Sequence, residues 1–169
     1  MRYWIKCSGT AEHPFDSDDW RPRKRAWQRE HGPISAFPRR PRIERGDRLV
    51  NYAVGSARAF GTGRIYLVEE VVSAEPEPGG HERWPWVVEV SELVSVPRLS
   101  IAPELREIGV SPRSLSQHSH IGLSPEAGRL AERLICEAGG EALRPRAFSP
   151  HEGQREHRPH RGGARSLGR

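Results

Sequence analysis

Tryptophan interleaved with arginine is the chemistry that stands out first. Trp20 and Trp27 enclose Arg21, Arg23, Lys24 and Arg25, and Trp84 and Trp86 stand either side of Pro85. An indole face stacks on a nucleobase while a guanidinium or ammonium meets phosphate, so this mixture suits single-stranded or flipped-base binding. A second group, Lys6, Cys7 and Ser8, sets an amine, a thiol and a hydroxyl in succession. A third, His118-Ser119-His120, places two imidazoles on one face of a strand. A metal there needs a third ligand that the spacing does not supply, so the pair reads as polar strand residues. The glycine-rich run from Gly55 to Gly63 lacks the Gly-Lys-Ser/Thr ending of a P-loop and lies between strands, which makes it a strand–turn–strand loop. No Gly-x-Ser-x-Gly elbow occurs, and two lysines, Lys6 and Lys24, are few for a nuclease.

Charge is unevenly spread over the 169 residues, whose formal sum is +5. Trp20 to Arg48 holds ten basic and three acidic residues, and Gly139 to Arg169 holds seven and three, so these segments carry +7 and +4. The remainder is mildly acidic, an asymmetry that suits a polyanionic partner better than a uniform positive charge would. Simply solvated Arg-rich loops are the equal alternative. No run of about 18 apolar residues provides a membrane span. Met1 to Lys6 has no signal-peptide h-region, and two cysteines, Cys7 and Cys136, cannot form a disulfide framework. A cytoplasmic location without membrane contact is the expectation.

These groups need a scaffold to position them. Strands are expected at Arg2–Cys7, Arg48–Val54, Gly63–Ser73, Trp86–Val90, Leu93–Val96 and Ser119–Leu123, with one or two helical turns at Pro103–Ile108. Ser124 fits an N-cap, Pro125 the first helical position, and Ala127, Leu130, Ala131, Leu134 and Ile135 recur at helical spacing up to Gly139. Phe15–Glu44, rich in Pro and Arg, reads as a long binding loop or a disordered connection. Strands in succession with few helices predict an α+β domain with a curled mixed sheet or barrel over residues 1–138. Residues 139–169, poor in apolar residues, read as a disordered Arg/Gly/Pro/His-rich tail.

Four pieces in order resemble the EVE domain of the PUA-like superfamily, a relative of the YTH domain. They are Tyr3-Trp4-Ile5-Lys6-Cys7-Ser8, then Gly46-Asp47-Arg48-Leu49-Val50-Asn51-Tyr52 leading to Gly61-Thr62-Gly63-Arg64-Ile65 and Val68-Glu69-Glu70-Val71. Trp86-Val87-Val88-Glu89-Val90 and Ser119-His120-Ile121-Gly122-Leu123-Ser124-Pro125-Glu126 follow. The likeness spans about residues 2–138, with Trp20–Trp27 standing where the family has Trp-Gly-x-Arg-Asn, and Gln117–His120 where Arg or Leu is usual.

The resemblance implies a non-enzymatic, bacterial reader of a modified base in DNA or RNA, with no cofactor and with protein partners from a defence or RNA-modification system. It implies a pocket in which Trp27 or Trp20 and Trp84 or Trp86 form the aromatic faces, and Lys6, Cys7, Ser8 and His120 address the base edge. Each residue has a plainer reading beside this one. Tyr52 fits a pocket floor and a sheet residue equally, Lys6 can pair with a carboxylate, and one of Trp84 and Trp86 must face inward. Trp4 fits a core position, whereas Trp27 is hardest to explain as core. The related ASCH group supplies a second expectation, an amidohydrolase acting on a modified nucleoside with Lys6, Thr62 or Thr10 and a glutamate. A third is an interaction module whose basic tail docks on an acidic partner.

Overall fold

The computed structural model describes residues 1–9, 18–54, 63–79, 82–115, 118–139 and 141–142. The glycine-rich run at 55–62, Thr10 and the tail beyond 142 lie outside them.

β-branched and aromatic runs form the strands, as their composition predicts. They are β1 (Tyr3–Ser8), β2 (Ile34–Phe37), β3 (Arg48–Ala53), β4 (Arg64–Val71), β5 (Glu77–Pro78), β6 (Trp86–Ser95), β7 (His120–Leu123) and β8 (Glu141–Ala142). One mixed sheet runs β2-β6-β4-β3-β1-β7, with β5 and β8 added against β6. β1 and β3 are parallel and the other pairs antiparallel. Irregularities between Asn51 and Tyr52 and between Val68 and Glu69 break the register. Such bulges bend and twist a sheet. The two ends of the path meet through side chains, for the rings of Phe37 on β2 and His120 on β7 lie 5.2 Å apart. The α+β curled mixed sheet with flanking helices expected from the sequence is the fold observed.

Two apolar clusters form the core. Tyr3, Ile5, Val50, Val68 and Val94 join Ala131 and Ile135 of α2 (Pro125–Glu137) on the outer face. Phe37, Ile43, Leu49, Val71, Val88 and Val90, with Trp4 and Trp86 against them, fill one part of the interior. Ser124 caps α2 by accepting the amide of Ala127 at 3.2 Å. Gly128 lets α2 approach the sheet, since a Cβ there would stand 2.1 Å from the Tyr3 ring. Gly128→Ala should therefore lower the melting temperature. Overpacking costs about 1–3 kcal/mol, which outweighs the gain in helix propensity of about 1 kcal/mol.

Three expectations need correction. Phe15–Glu44 is not a long loop, because Trp20–His31 forms α1 and Ile34–Phe37 forms β2. The strands expected at Trp86–Val90 and Leu93–Val96 are one continuous β6. Glu141–Ala142 pairs with Ser95 and Val94, so the sheet takes in residues beyond the expected limit at 138.

Candidate functional site

Alternation along β1 separates its side chains. Tyr3, Ile5 and Cys7 pack on the outer cluster, while Trp4 and Lys6 face the interior. Lys6 has Asn51 of β3 as its register partner on one side and His120 of β7 on the other. On β4, Glu69 is 1% exposed and accepts a hydrogen bond from Asn51 Nδ2 at 2.9 Å. Its other carboxylate oxygen meets the ammonium of Lys24, which reaches in from α1.

α1 is held against this site by its own polar residues. Trp20 packs edge-on against Tyr66 with ring centroids 4.8 Å apart. Arg21 donates to the Ser95 hydroxyl at 2.8 Å and to the carbonyls of Ser95 and Val96. The Ser95 hydroxyl donates in turn to Glu92, and the Tyr66 hydroxyl donates to Ser8 Oγ at 3.0 Å. The result is an interior polar site built by β1, β3, β4, β6 and β7 and covered by α1. It holds the cations of Lys6, Arg21 and Lys24 and the carboxylates of Glu69 and Glu92.

Lys6 is the unusual member. Among the described residues its ammonium has no hydrogen-bond acceptor and no carboxylate at ion-pair distance. Its nearest noted neighbour is the Phe37 ring, with Nζ 5.5 Å from the centroid. Lys6 keeps some exposure, yet the protein packed around its ammonium lowers its pKa; Glu69 opposes that shift and Lys24 reinforces it. His120 is lowered by burial and by the charges of Lys6 and His118, which favours the neutral imidazole at pH 7. Its Nδ1 lies 3.0 Å from the Ser119 hydroxyl. Burial pushes the Cys7 thiol up to about 11, so it is a thiol rather than a thiolate at neutral pH.

The structure sorts the residues named from sequence. Lys6, Ser8 and His120 border the interior site. Cys7 and Tyr52 are register partners on the outer face, where Tyr52 lies against Gly63 so closely that a Cβ there would be 2.1 Å from its hydroxyl. Tyr52 is thus a packing residue, and the interior position on β3 belongs to Asn51, one residue earlier. Trp20 is 1% exposed and is part of the core, so it offers no open stacking face. Trp27 and Trp84 are each 37% exposed, Trp27 beside His31 at 4.9 Å and Trp84 beneath Arg83 at 5.1 Å. Trp86 is half-buried on the interior cluster with Arg40 over its ring. Trp27 therefore remains an open aromatic face on α1, with exposed Arg23 one turn before it, while Arg25 and Arg29 are exposed elsewhere round the same helix. Lys24, from the same basic run, is taken up by Glu69 and is not part of that face.

Asn51, Glu69, Tyr66 and Arg21 were not anticipated as site residues. A signal for Glu69 existed: in Leu67-Val68-Glu69-Glu70-Val71 alternation puts it on one face with Leu67 and Val71, a carboxylate between buried apolar residues.

No described helix is long and apolar enough to cross a membrane. No family model matches the chain, and no curated protein matches it. Among solved structures it is similar to Rpa0253 from Rhodopseudomonas palustris, determined by NMR, with 16% identity over 82% of this chain and 93% of that one, at a TM-score of 0.41. It is also similar to a protein from Pseudomonas putida, determined by X-ray crystallography, with 17% identity over 79% of this chain and 99% of that one, at a TM-score of 0.45.

Proposed function

We propose that this chain is a non-enzymatic, EVE-like cytoplasmic module that binds DNA or RNA and reads a modified base. The observation that supports it best is the double role of α1. Its outer side offers exposed Trp27 with Arg23 one turn before it and exposed Arg25 and Arg29 further round the helix, and its inner side reaches the polar interior through Arg21 and Lys24. Guanidinium groups beside an open indole meet phosphates and stack on a base. Asn51, Ser8 and His120 supply donors and acceptors suited to a base edge. Its protein partners, in this reading, belong to a defence or RNA-modification system.

Salt dependence tests the outer face. Each phosphate neutralised contributes about −0.9 to the slope of log K against log salt on duplex DNA, and about −0.7 on single strands. Arg23→Ala, Arg25→Ala and Arg29→Ala combined should flatten that slope by about 2–3 and weaken binding alike across sequences. An unchanged slope would rule these arginines out as phosphate contacts. Trp27→Ala should reduce single-strand affinity about ten- to a hundredfold, with a smaller loss of melting temperature than truncating the buried Trp20 would cause, because the Trp27 ring is 37% exposed. A large loss of stability, or wild-type affinity, would remove Trp27 from the interface.

A second reading, an ASCH-type amidohydrolase, gains one specific support. Lys6 lies within electrostatic reach of Glu69, and its lowered pKa favours the free amine that a lysine base or nucleophile requires. Thr10 and Thr62, the other members of that set, lie outside the described residues. Release of carboxylic acid from an acylated cytidine, abolished by Lys6→Met, would favour this reading over the binding module.

A further inference from the structure

We infer that the interior site takes up one anionic group against the Lys6 ammonium, so that the nucleoside it admits carries a carboxylate or a phosphate. The inference rests on the proposed nucleobase-binding function and narrows its ligand. It starts from what each interior charge already does. Lys24 is paired with Glu69, whose second oxygen is taken by Asn51. Glu92 receives the Ser95 hydroxyl, and Arg21 is spent on Ser95 and Val96. Lys6 is left as a cation with no acceptor among the described residues, facing the Phe37 ring.

A partly buried ammonium without a partner is costly, and a protein holding one keeps it by neutralising it or by giving it an anion. The groups around it come from four elements: Glu69 on β4, Lys24 on α1, His120 on β7 and Cys7 on β1. Among these groups Glu69 alone offers a carboxylate, and both of its oxygens are already taken by Lys24 and Asn51. Ligand binding would add the missing negative charge. A neutral base edge offers acceptors but no charge, and would leave the imbalance in place. Charge-assisted hydrogen bonds to an ammonium are roughly twice as strong as neutral ones, so the anion would be a large part of what the site recognises.

The chain's two lysines make the test direct. Their ε-methylene NMR signals can be followed against pH in the wild-type protein, with Lys6→Met and Lys24→Met assigning them. The titration is run free and with cytidine, cytidine 5′-monophosphate and 5-carboxycytidine at millimolar concentration. At least one anionic nucleoside should raise the Lys6 pKa by about one unit or more, which corresponds to about tenfold tighter binding to the protonated form. Cytidine should leave it unmoved. A rise with the carboxylate locates the anion on the base, and a rise with the monophosphate locates it on the backbone. Lys6→Met, checked for folding by its melting temperature, should lose about tenfold or more in affinity for that ligand. No shift with either anion, or an equal shift with cytidine, overturns the anion site. The nucleic-acid reading stands or falls separately, on the salt slope of the α1 arginines. A flat slope with a Lys6 response overturns only that reading, and a steep slope with a silent Lys6 overturns only the anion site.

Discussion

Asp47→Ala is expected to destabilise the fold by about 3–5 kcal/mol, the summed cost of leaving several N–H donors without their acceptor. Asp47 is 2% exposed and gathers the start of β1 onto the turn that opens β3. Its carboxylate accepts the Arg2 amide at 2.8 Å, the Trp4 indole N–H at 3.0 Å and the Glu44 amide at 3.2 Å. Without it, those donors lose their acceptor, at about 1–3 kcal/mol for each that stays buried. The Arg2 ion pair adds little, because that side chain is 46% exposed. Burial by itself would raise the Asp47 pKa, but the bonds from Trp4, Arg2 and Glu44 more than offset it and hold the carboxyl below its usual value. The sign follows from linkage. The folded chain holds this proton less tightly than the unfolded chain, so the contribution is fully present above the ordinary aspartate pKa. It is lost as pH falls through the lowered folded value. Urea unfolding of wild type and Asp47→Asn should therefore show a gap that is wide at pH 7 and narrows in acid. A gap independent of pH would mean that the ionised form is not what matters.

What the sequence revealed and what it hid divide on a physical line. Strands β1, β3, β4 and β7 and the capped helix α2 were legible because burial on a regular face imposes a period on the apolar residues. Trp20–His31 carries almost no apolar period. Its inward residues are Trp20, Arg21 and Lys24, and the last two, half-buried, turn inward for their bonds to Ser95, Val96 and Glu69 rather than for hydrophobicity. A helix whose inner face is cationic looks like a solvated loop until its acceptors are in place. Those acceptors come from β4 and β6, more than forty residues away along the chain. The same holds for the site. Lys6, Ser8 and His120 were legible on their own strands. Which of Asn51 and Tyr52 faces Lys6 depends on the β1/β3 register, and neither strand states it alone. Trp27, named for its polar surroundings, is indeed an open ring, whereas its neighbour in the motif, Trp20, is core.

Glu69 should prove far less replaceable than its partner Lys24, and the difference measures how the interior charges share one carboxylate. Glu69→Leu removes the only acceptor of the Lys24 ammonium among the described residues and the main acceptor of the Asn51 amide, and leaves Lys6 and Lys24 to repel each other. An uncompensated buried charge of this kind costs about 3–5 kcal/mol. Lys24→Met is a different case. Lys24 is 16% exposed at the edge of the site, its alkyl stem is preserved by methionine, and Glu69 keeps the Asn51 bond. Lys6 stays within electrostatic reach of Glu69, so a cation remains to balance it. The loss should be smaller, about 1.5–3 kcal/mol, the scale of one charge-assisted hydrogen bond. The double variant should recover part of the Glu69→Leu loss, because it removes charge in pairs. Lys6 reports on the same balance from within. Its pKa should fall further in Glu69→Leu, where the attracting charge is gone, and rise in Lys24→Met, where the repelling one is gone. Chemical denaturation of the three variants and the ε-methylene titration of Lys6 check both. Equal losses from the two single variants, with Lys6 unmoved in either, would mean that Lys24 and Glu69 form an isolated pair and that Lys6 lies outside their field.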